Sequence, residues 1–284
     1  CGFLSNLPFG SRPYLEVIMQ YKIGDVARIL GISTDLLRYY EKKGVVAPTK
    51  DKQNDYRYYD AWDINFLIDC LWYKNFGFGI AQIAYMVSDC YYGDLLYVLD
   101  EKRDEIKASI RHQELLLQRI SQHLDDVTSV KEYIGKCDIR TSPEIVCYLN
   151  RYNFEFDNRD ELQKLSQHWL KYMPFTRRYF EIPQDGLSGE AENYAWGFSL
   201  SMPYVEEFGV PVRPPVVHLP SKLSIHSAFK SSGKNAFTAR HIDYIVRYAE
   251  DNGLKICGNA RGNLVCSILE DGENTGYFEV WLPI

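Results

Sequence analysis

The feature that most constrains this chain is a heptad-like run of apolar residues between Leu99 and Ile134. When positions are taken alternately four and three residues apart, eight of eleven are apolar. This period predicts one long α-helix of about five heptads with a narrow coiled-coil seam. Such a seam needs a second helix to cover it, so we expect a homodimer. The alternative is a helix that packs on its own chain with solvent on its flanks.

Length and composition favour a folded chain with more than one domain. The 284 residues are enough for two domains, and 46% of them are hydrophobic and 25% charged, which excludes a wholly disordered chain. No stretch approaches the roughly 18 consecutive apolar residues of a membrane helix, so we expect a cytoplasmic protein with no membrane partner. The seven cysteines are scattered without a C-x-x-C pair, which indicates reduced thiols.

Charge is distributed unevenly along the chain. The net charge of −6, taken alone, would argue against a nucleic-acid partner. Between Tyr21 and Tyr59, however, eight Lys/Arg stand against five Asp/Glu, whereas from Thr141 to Ile284 fourteen stand against eighteen. The two ends are therefore chemically different.

The first 18 residues have neither a helical nor a strand period, and they precede Met19. We interpret Met19 as the natural start. Residues 1–18 are then expected to be a non-native or disordered leader.

Two short helices follow. Apolar residues at i, i+3, i+4 and i+7 begin at Ile23 and stop at Gly31, which predicts an amphipathic helix. The next helix begins after Ser33, whose hydroxyl can cap it, and ends at Gly44. Two short helices joined by a tight turn are a candidate helix-turn-helix.

The segment after Gly44 predicts a β-hairpin, or wing, because β-branched residues and aromatics lie on either side of the turn Asn54-Asp55. Two further short helices, separated by Gly77-Phe78-Gly79, complete a compact module that ends near Cys90.

The region after Pro143 contains a repeat of strand, helix, strand and strand. The first unit has its strands near 145–150, 177–182 and 194–201 and its helix near 159–172. The second has strands near 223–230, 264–269 and 277–282 and a helix near 239–251. Two such units predict one antiparallel sheet with helices on one face and a concave opposite face.

Residues 21–87 resemble the DNA-binding domain of MerR-family transcriptional regulators. The resemblance is carried by YKIGDVARILGIS, by the recognition-helix segment TDLLRYYEKKGVV and by the wing segment NDYRYY with its following aspartate. The carboxyl-terminal part resembles, through its two-unit pattern and its ending YFEVWLPI, the gyrase-inhibitor-like effector domain of multidrug-sensing members.

The resemblance implies how the protein would work. Such a homodimer binds double-stranded promoter DNA, senses a small organic effector, and bends and untwists the DNA so that RNA polymerase can engage it. The expected fold is multidomain, α and α+β. It comprises the leader (1–18), a winged helix-turn-helix DNA-binding domain (19–90), a coiled-coil dimerisation helix (91–135), a linker (136–142) and an α+β effector-binding domain (143–284).

The candidate DNA contacts lie on the second helix and the wing. Thr34, Arg38 and Lys42 are spaced i, i+4 and i+8, so they share one exposed helical face that suits phosphates or guanine edges. The resemblance implies that Arg38 and Tyr39 touch DNA and that Arg57 and Tyr58 grip its backbone. Alternatively, Arg38 pairs with a nearby carboxylate and the tyrosines are core residues. Asp55 stands where the family usually has glycine.

The candidate effector contacts lie in the last domain. Alternation along strands places Tyr148 with Tyr152 on one face and Trp196 with Phe198 on another. Multidrug-sensing relatives carry an acidic residue on the penultimate strand that is directed into the pocket, and the aligned position in this sequence is Cys266. Glu270 and Glu279 are therefore the candidate substitutes that could pair with a cationic ligand. The candidate ligand-binding residues are Tyr148, Tyr152, Trp196, Phe198, Cys266, Glu270, Glu279 and Trp281. Each is alternatively a core or surface residue.

Other functions fit the sequence less well. Metal sensing is disfavoured because Cys137 stands alone near the end of the long helix, and no cofactor or metal is expected. Catalysis is disfavoured because no nucleophile elbow or H-E-x-x-H motif occurs. The main alternative is a ligand-binding or hydrolytic gyrase-inhibitor-like protein with a vestigial winged module, and another is a regulator without a small ligand.

Overall fold

The computed structural model describes residues 19–51, 55–188, 193–234 and 236–284, which form two compact units. The first unit extends to Ala108 and the second is Ser109–Ile284. The expected leader, 1–18, and Asn54 of the expected turn lie outside the described residues.

The first unit begins with two short helices and a small sheet. Its elements are β1 (Tyr21–Lys22), α1 (Ile23–Leu30), α2 (Thr34–Lys42), β2 (Thr49–Lys50), β3 (Arg57–Tyr59), α3 (Ala61–Asn75) and α4 (Ile80–Ser88). Gly31 ends α1 with the left-handed φ of 67° that glycine accepts without strain. The Ser33 hydroxyl caps α2 by accepting a hydrogen bond from the Leu36 amide at 3.1 Å.

The core of the first unit lies where the helices meet the small sheet. The sheet is antiparallel with the order β1-β3-β2. Val26, Leu37, Tyr40, Tyr59 and Leu67 are buried together in that core. Since Leu37 and Tyr40 face inward, the remaining sides of α2 are left at the surface.

A 41-residue helix, α5 (Tyr92–Glu132), begins in the first unit and continues in the second. It begins before the predicted run at Leu99 and ends just before Ile134. Ile134 instead forms a parallel bridge with Ala228, and Gly135 has a φ of 70°. The positive φ of Gly135 redirects the chain toward the sheet of the second unit.

The second unit is a nine-stranded sheet with helices. Its strands are β4 (Asp138–Thr141), β5 (Ile145–Tyr152), β6 (Glu155–Phe156), β7 (Arg177–Ile182), β8 (Ala195–Ser201), β9 (Val217–Leu219), β10 (Leu223–Ser232), β11 (Ala260–Glu270) and β12 (Glu273–Pro283). Its helices are α6 (Asp160–Leu170), α7 (Met202–Phe208) and α8 (Asp243–Asp251), with 3₁₀ helices at Gln184–Ser188 and Ala239–Ile242.

The strand order shows two equivalent halves. It runs β4-β10-β12-β11-β7-β8-β5-β6, with β9 also paired to β5. In the first half β8 lies between β5 and β7, and in the second half β12 lies between β10 and β11. The two halves meet at the centre of the sheet, where β7 pairs antiparallel with β11. The segment 136–142, expected to be a linker, contains β4, which extends the sheet by pairing with β10.

The two faces of this sheet pack against different helices. On the helical face, Trp169 of α6 packs against Tyr148, and Ile245 of α8 packs in a cluster with Phe180 and Phe278. On the opposite face, which we call the α5 face, Val130 of α5 packs with Ala228, Val265 and Tyr277. The face that the sequence predicted to be open and concave is therefore partly covered by α5.

Candidate functional site

The exposed side of α2 carries the predicted helix residues. Arg38 and Lys42 are exposed, and Thr34 is half-buried on the same side. The Arg38 side chain is 59% exposed and its Nη1 lies 3.0 Å from the Asp35 carboxylate. This pair is the alternative to a DNA contact that the sequence predicts for Arg38. Exposed pairs of this kind contribute at most about 1 kcal/mol, so the guanidinium remains available for exchange to another anion.

Two cationic side chains of the small sheet, Arg57 of β3 and Lys50 of β2, contact one carboxylate, that of Glu41 on α2. Arg57 Nε donates to Glu41 at 2.5 Å, and Lys50 Nζ lies 3.2 Å from its other oxygen. Burial alone would raise the pKa of Glu41, but hydrogen bonds from Arg57 and Lys50 lower it overall. Glu41 thus holds two cations, one from β2 and one from β3, beside α2.

The two predicted tyrosines occupy different environments. Tyr39 is exposed, with the Lys43 ammonium 5.8 Å from its ring centroid, whereas Tyr58 is half-buried on β3. Asp55 adopts a φ of 58°, so it takes the left-handed conformation that the family's glycine would favour. The hairpin geometry is therefore accessible to this chain without glycine.

A helix-turn-helix with exposed cationic side chains on its second helix defines a DNA-binding class of protein. The family model for the MerR HTH family regulatory protein matches residues 21–89. A probable heavy metal-dependent transcriptional regulator from Haemophilus influenzae is 30% identical over 126 residues, which cover 43% of this chain and 91% of that protein. The chain belongs to the MerR family and is a DNA-binding transcriptional regulator.

Two further similarities cover larger shares of the chain. The uncharacterized HTH-type transcriptional regulator YyaN from Bacillus subtilis is 26% identical over 144 residues, covering 50% of this chain and all of that protein. Among solved structures, a similar one is the cryo-electron microscopy structure of the EcmrR–DNA complex in EcmrR-RPo. The similarity covers 93% of this chain and 100% of that chain, with 17% identity and a TM-score of 0.37.

The predicted effector residues do not share one face of the second unit's sheet. Tyr148 is buried on the helical face, where its hydroxyl donates to Ser166 at 3.1 Å, and Phe198 packs beside it. The pairing of β5 with β8 shifts register between Leu149 and Arg151. This bulge turns Tyr152 to the α5 face, so the expectation that Tyr148 and Tyr152 share a face is wrong.

Trp281 and Glu279 lie on the α5 face, away from Trp196. The centroid of the Trp281 ring is 4.4 Å from that of the His226 ring, and Glu279 accepts from His226 Nε2 at 3.2 Å. Arg177 lies 3.9 Å from the other Glu279 oxygen. The single aromatic-lined face predicted from the sequence is therefore divided between the two sides of the sheet.

The candidate acids already have cationic partners. Burial alone would raise the pKa of Glu279, but the hydrogen bond from His226 and the Arg177 charge lower it. Glu270 pairs with Lys230 at 3.2 Å and accepts from the Tyr277 hydroxyl at 3.0 Å. Cys266 is half-buried on the α5 face, where burial raises the pKa of its thiol. None of these three side chains presents a free negative charge.

Sequence reasoning named Trp196 but missed the other residues that line a cavity on the helical face. The cavity has a volume of about 200 Å³ and lies beside Trp196, between Arg151 of β5 and Arg178 of β7. A neighbouring cavity of about 340 Å³, which borders α5, shares Arg178 and Leu264 with it. Strand alternation could not find Arg151, because the bulge before it reverses the direction of its side chain.

The cysteines and histidines of the described part of the chain do not form a metal centre. Within it, no group of three or more His, Cys, Asp or Glu side chains is arranged to hold a metal ion. Burial raises the pKa of Cys147 to about 12 and that of Cys70 to about 11, so both are thiols at neutral pH. No described helix combines the length and apolar character needed to span a bilayer.

Proposed function

We propose that the protein is a homodimeric, effector-responsive regulator in which the sheet-rich second unit binds a small organic molecule. The observation that carries the proposal is the aromatic cavity beside Trp196, found in a chain whose first unit belongs to a DNA-binding family. Cavities with aromatic walls and a few converging polar groups are the usual sites for such ligands. We accordingly expect the regulator to act in the cytoplasm, where its promoter lies.

Dimerisation is supported by the exposed side of α5. Leu117, Ile120 and Leu124 are 68%, 64% and 65% exposed, although Leu115 and Val130 of the same helix are buried against the second unit. One side of α5 therefore packs on its own chain and the other presents an uncovered apolar stripe. A second copy of α5 is the partner that would cover it with the same periodicity.

Regulation would operate through the shape of the promoter. An effector shifts a conformational equilibrium only if it binds the two states with different affinity. Bending a site of 20 to 30 base pairs costs about 1 to 6 kcal/mol, which differential effector binding can offset. In the proposed mechanism the liganded dimer bends and untwists the DNA so that RNA polymerase can engage it.

The test is a gel-shift assay with the full chain and DNA from beside its own gene, followed by transcription with RNA polymerase. We expect a dimer-dependent shift, and a change in transcript level when a panel of aromatic compounds of different charge is added. Failure to shift this DNA at low salt would contradict the operator assignment. A shift with no response to any compound would contradict effector sensing alone.

A further inference from the structure

Two arginine side chains that line the cavity beside Trp196 both contact its indole ring. Arg151 lies directly opposite Trp196 in the pairing of β5 with β8, and its guanidinium carbon is 5.1 Å from the indole ring centroid. The Arg178 guanidinium carbon, from β7 on the other side, is 5.2 Å from the same ring. Cation–π contact therefore places two positive charges around one indole ring.

Neither guanidinium is neutralised within the described chain. Arg151 and Arg178 form no ion pair with a described carboxylate, and no described residue lining the cavity is acidic. Burial lowers the pKa of Arg178, even though its side chain keeps access to solvent. Burial lowers the pKa of Arg151 as well, and the Arg178 charge lowers it further. Two neighbouring like charges in such surroundings favour the binding of an anion.

Unpartnered hydrogen-bond donors point to the same chemistry. Trp196 is only 6% exposed, and its Nε1 is buried without an acceptor. Nε of Arg151 is also buried without a partner. A buried donor left unpaired costs about 1 to 3 kcal/mol, so a small side-chain rearrangement that brings either donor to an acceptor oxygen of a ligand would recover that energy. Ser267 and Asn274 add further polar groups to the same lining.

Aromatic side chains form another part of the lining. Phe237 lies 4.8 Å from Trp196 and 5.3 Å from Phe278, measured between ring centroids. These rings form an apolar wall next to the two guanidinium groups. The ligand that matches both parts combines a flat ring with an anionic group whose oxygens can accept bidentate hydrogen bonds.

We propose that this cavity binds a small aromatic carboxylate, whose oxygens lie between Arg151 and Arg178 and whose ring packs against Trp196 and Phe237. The proposal rests on the effector-sensing function and specifies the charge of the effector. The sequence left open a cationic ligand paired with Glu270 or Glu279, but Lys230 and Arg177 already lie beside these two carboxylates. The volume of about 200 Å³ suits a ligand with one ring.

The experiment is isothermal titration of the full chain with three one-ring probes of similar size: benzoate, neutral benzamide and benzylammonium. We expect benzoate to bind at least about tenfold more tightly than either of the others, as charge-assisted hydrogen bonds require. Arg151→Gln and Arg178→Gln should each weaken benzoate binding by about tenfold or more. Arg178→Lys, which keeps the charge, should retain part of the affinity.

Two controls separate the site from general charge and from folding. Arg213→Gln removes an exposed arginine outside the cavity lining and should leave benzoate affinity unchanged. Trp196→Phe keeps an aromatic ring but removes the indole donor, and should weaken benzoate by about two- to tenfold. Circular dichroism confirms that each variant is folded.

Several results would overturn the inference. They are undetectable benzoate binding, benzylammonium binding as tight as benzoate binding, or benzoate affinity that is unchanged in both arginine-to-glutamine variants. Operator binding is measured separately by gel shift. Loss of the gel shift with intact benzoate binding would contradict the proposed regulator function and support the anion site. An intact gel shift without benzoate binding would contradict the anion site and support the proposed DNA-binding function.

Discussion

Some residues of the first unit that we propose to contact DNA also have partners within the fold. Glu41 binds both Arg57 and Lys50, so Arg57, which we propose to contact the DNA backbone, is positioned before DNA arrives. Arg38 is paired only at the surface, with Asp35. The Arg57 side chain is therefore held by a partly buried ion pair, whereas the Arg38 side chain can change its conformation at the surface.

We predict that Arg38→Ala and Arg57→Ala each weaken operator binding by about 1.5 to 3 kcal/mol, because each removes a charge-assisted hydrogen bond to DNA. The slope of log affinity against log salt should also become shallower by about 0.9 for each phosphate that is no longer neutralised. Gel shifts at several salt concentrations give both quantities. Lys107→Ala removes an exposed α5 cation as the matched control, and equal binding by all three variants would contradict the assignment.

A second residue-scale prediction concerns Glu279. Its pKa in the folded protein lies below its ordinary value of 4.5, so its ionisation stabilises the fold above that pH. This contribution is lost progressively as the pH falls through the folded pKa. Glu279→Gln should therefore lower the free energy of unfolding by about 1 to 3 kcal/mol at neutral pH and lose less stability than the parent below pH 4.5.

Thermal melts of both proteins across this pH range measure the effect. Glu206→Gln, an exposed change on α7, serves as the control and should follow the parent curve. Parallel curves for Glu279→Gln and the parent would show that the carboxylate does not contribute in this way.

At the scale of elements, α5 has two sides with different partners. Leu115 and Val130 pack on the second unit, whereas Leu117 and Leu124 face solvent in the single chain. Full burial of a leucine side chain stabilises by about 1.5 to 3 kcal/mol relative to exposure. The exposed side is thus the part of the helix that dimerisation needs.

We predict that Leu117→Glu combined with Leu124→Glu converts the dimer to monomers or aggregates without unfolding the second unit, because both positions lie on the exposed side. Multi-angle light scattering measures the mass and circular dichroism the helix content. Gln118→Glu, an exposed change just off the stripe, should leave the dimer intact. A double variant that remains dimeric would place the interface elsewhere.

The repeat of strand, helix, strand and strand could be predicted from the sequence, because the apolar residues of each element follow a helical or strand spacing and turn-forming residues stand at its end. The faces could not be predicted, because bulges at Asn150 and Val265 each insert a residue and reverse the alternation. Short elements such as β4 and α7 have too few residues to show a period. The cavity depends on both kinds of feature, so its arginines could not be found from the sequence.

At the scale of the whole molecule, the division into two compact units has a thermodynamic consequence. Ligands that bind only one unit should stabilise that unit more than the other. A ligand at one hundred times its Kd stabilises its folded partner by about 2.7 kcal/mol.

We predict two calorimetric transitions for the full chain. Operator DNA should raise the temperature of one transition, and benzoate should raise the temperature of the other. The Arg178→Gln variant should lose the benzoate effect and keep the DNA effect. A single transition that both additions shift equally would show that the two units unfold as one.

The alternation of β7 connects the cavity to α5 through adjacent residues. Arg178 lines the cavity, and the next residue back, Arg177, lies 3.4 Å from Asp126 of α5 on the opposite side of the sheet. Any displacement of the β7 backbone by an occupant of the cavity must move both side chains, since one peptide bond joins them. At about 1.5 Å per residue, the 41 residues of α5 measure roughly 60 Å, with Asp126 near one end. Occupancy of the cavity would therefore change the position of Asp126 and the local path of α5 within the second unit.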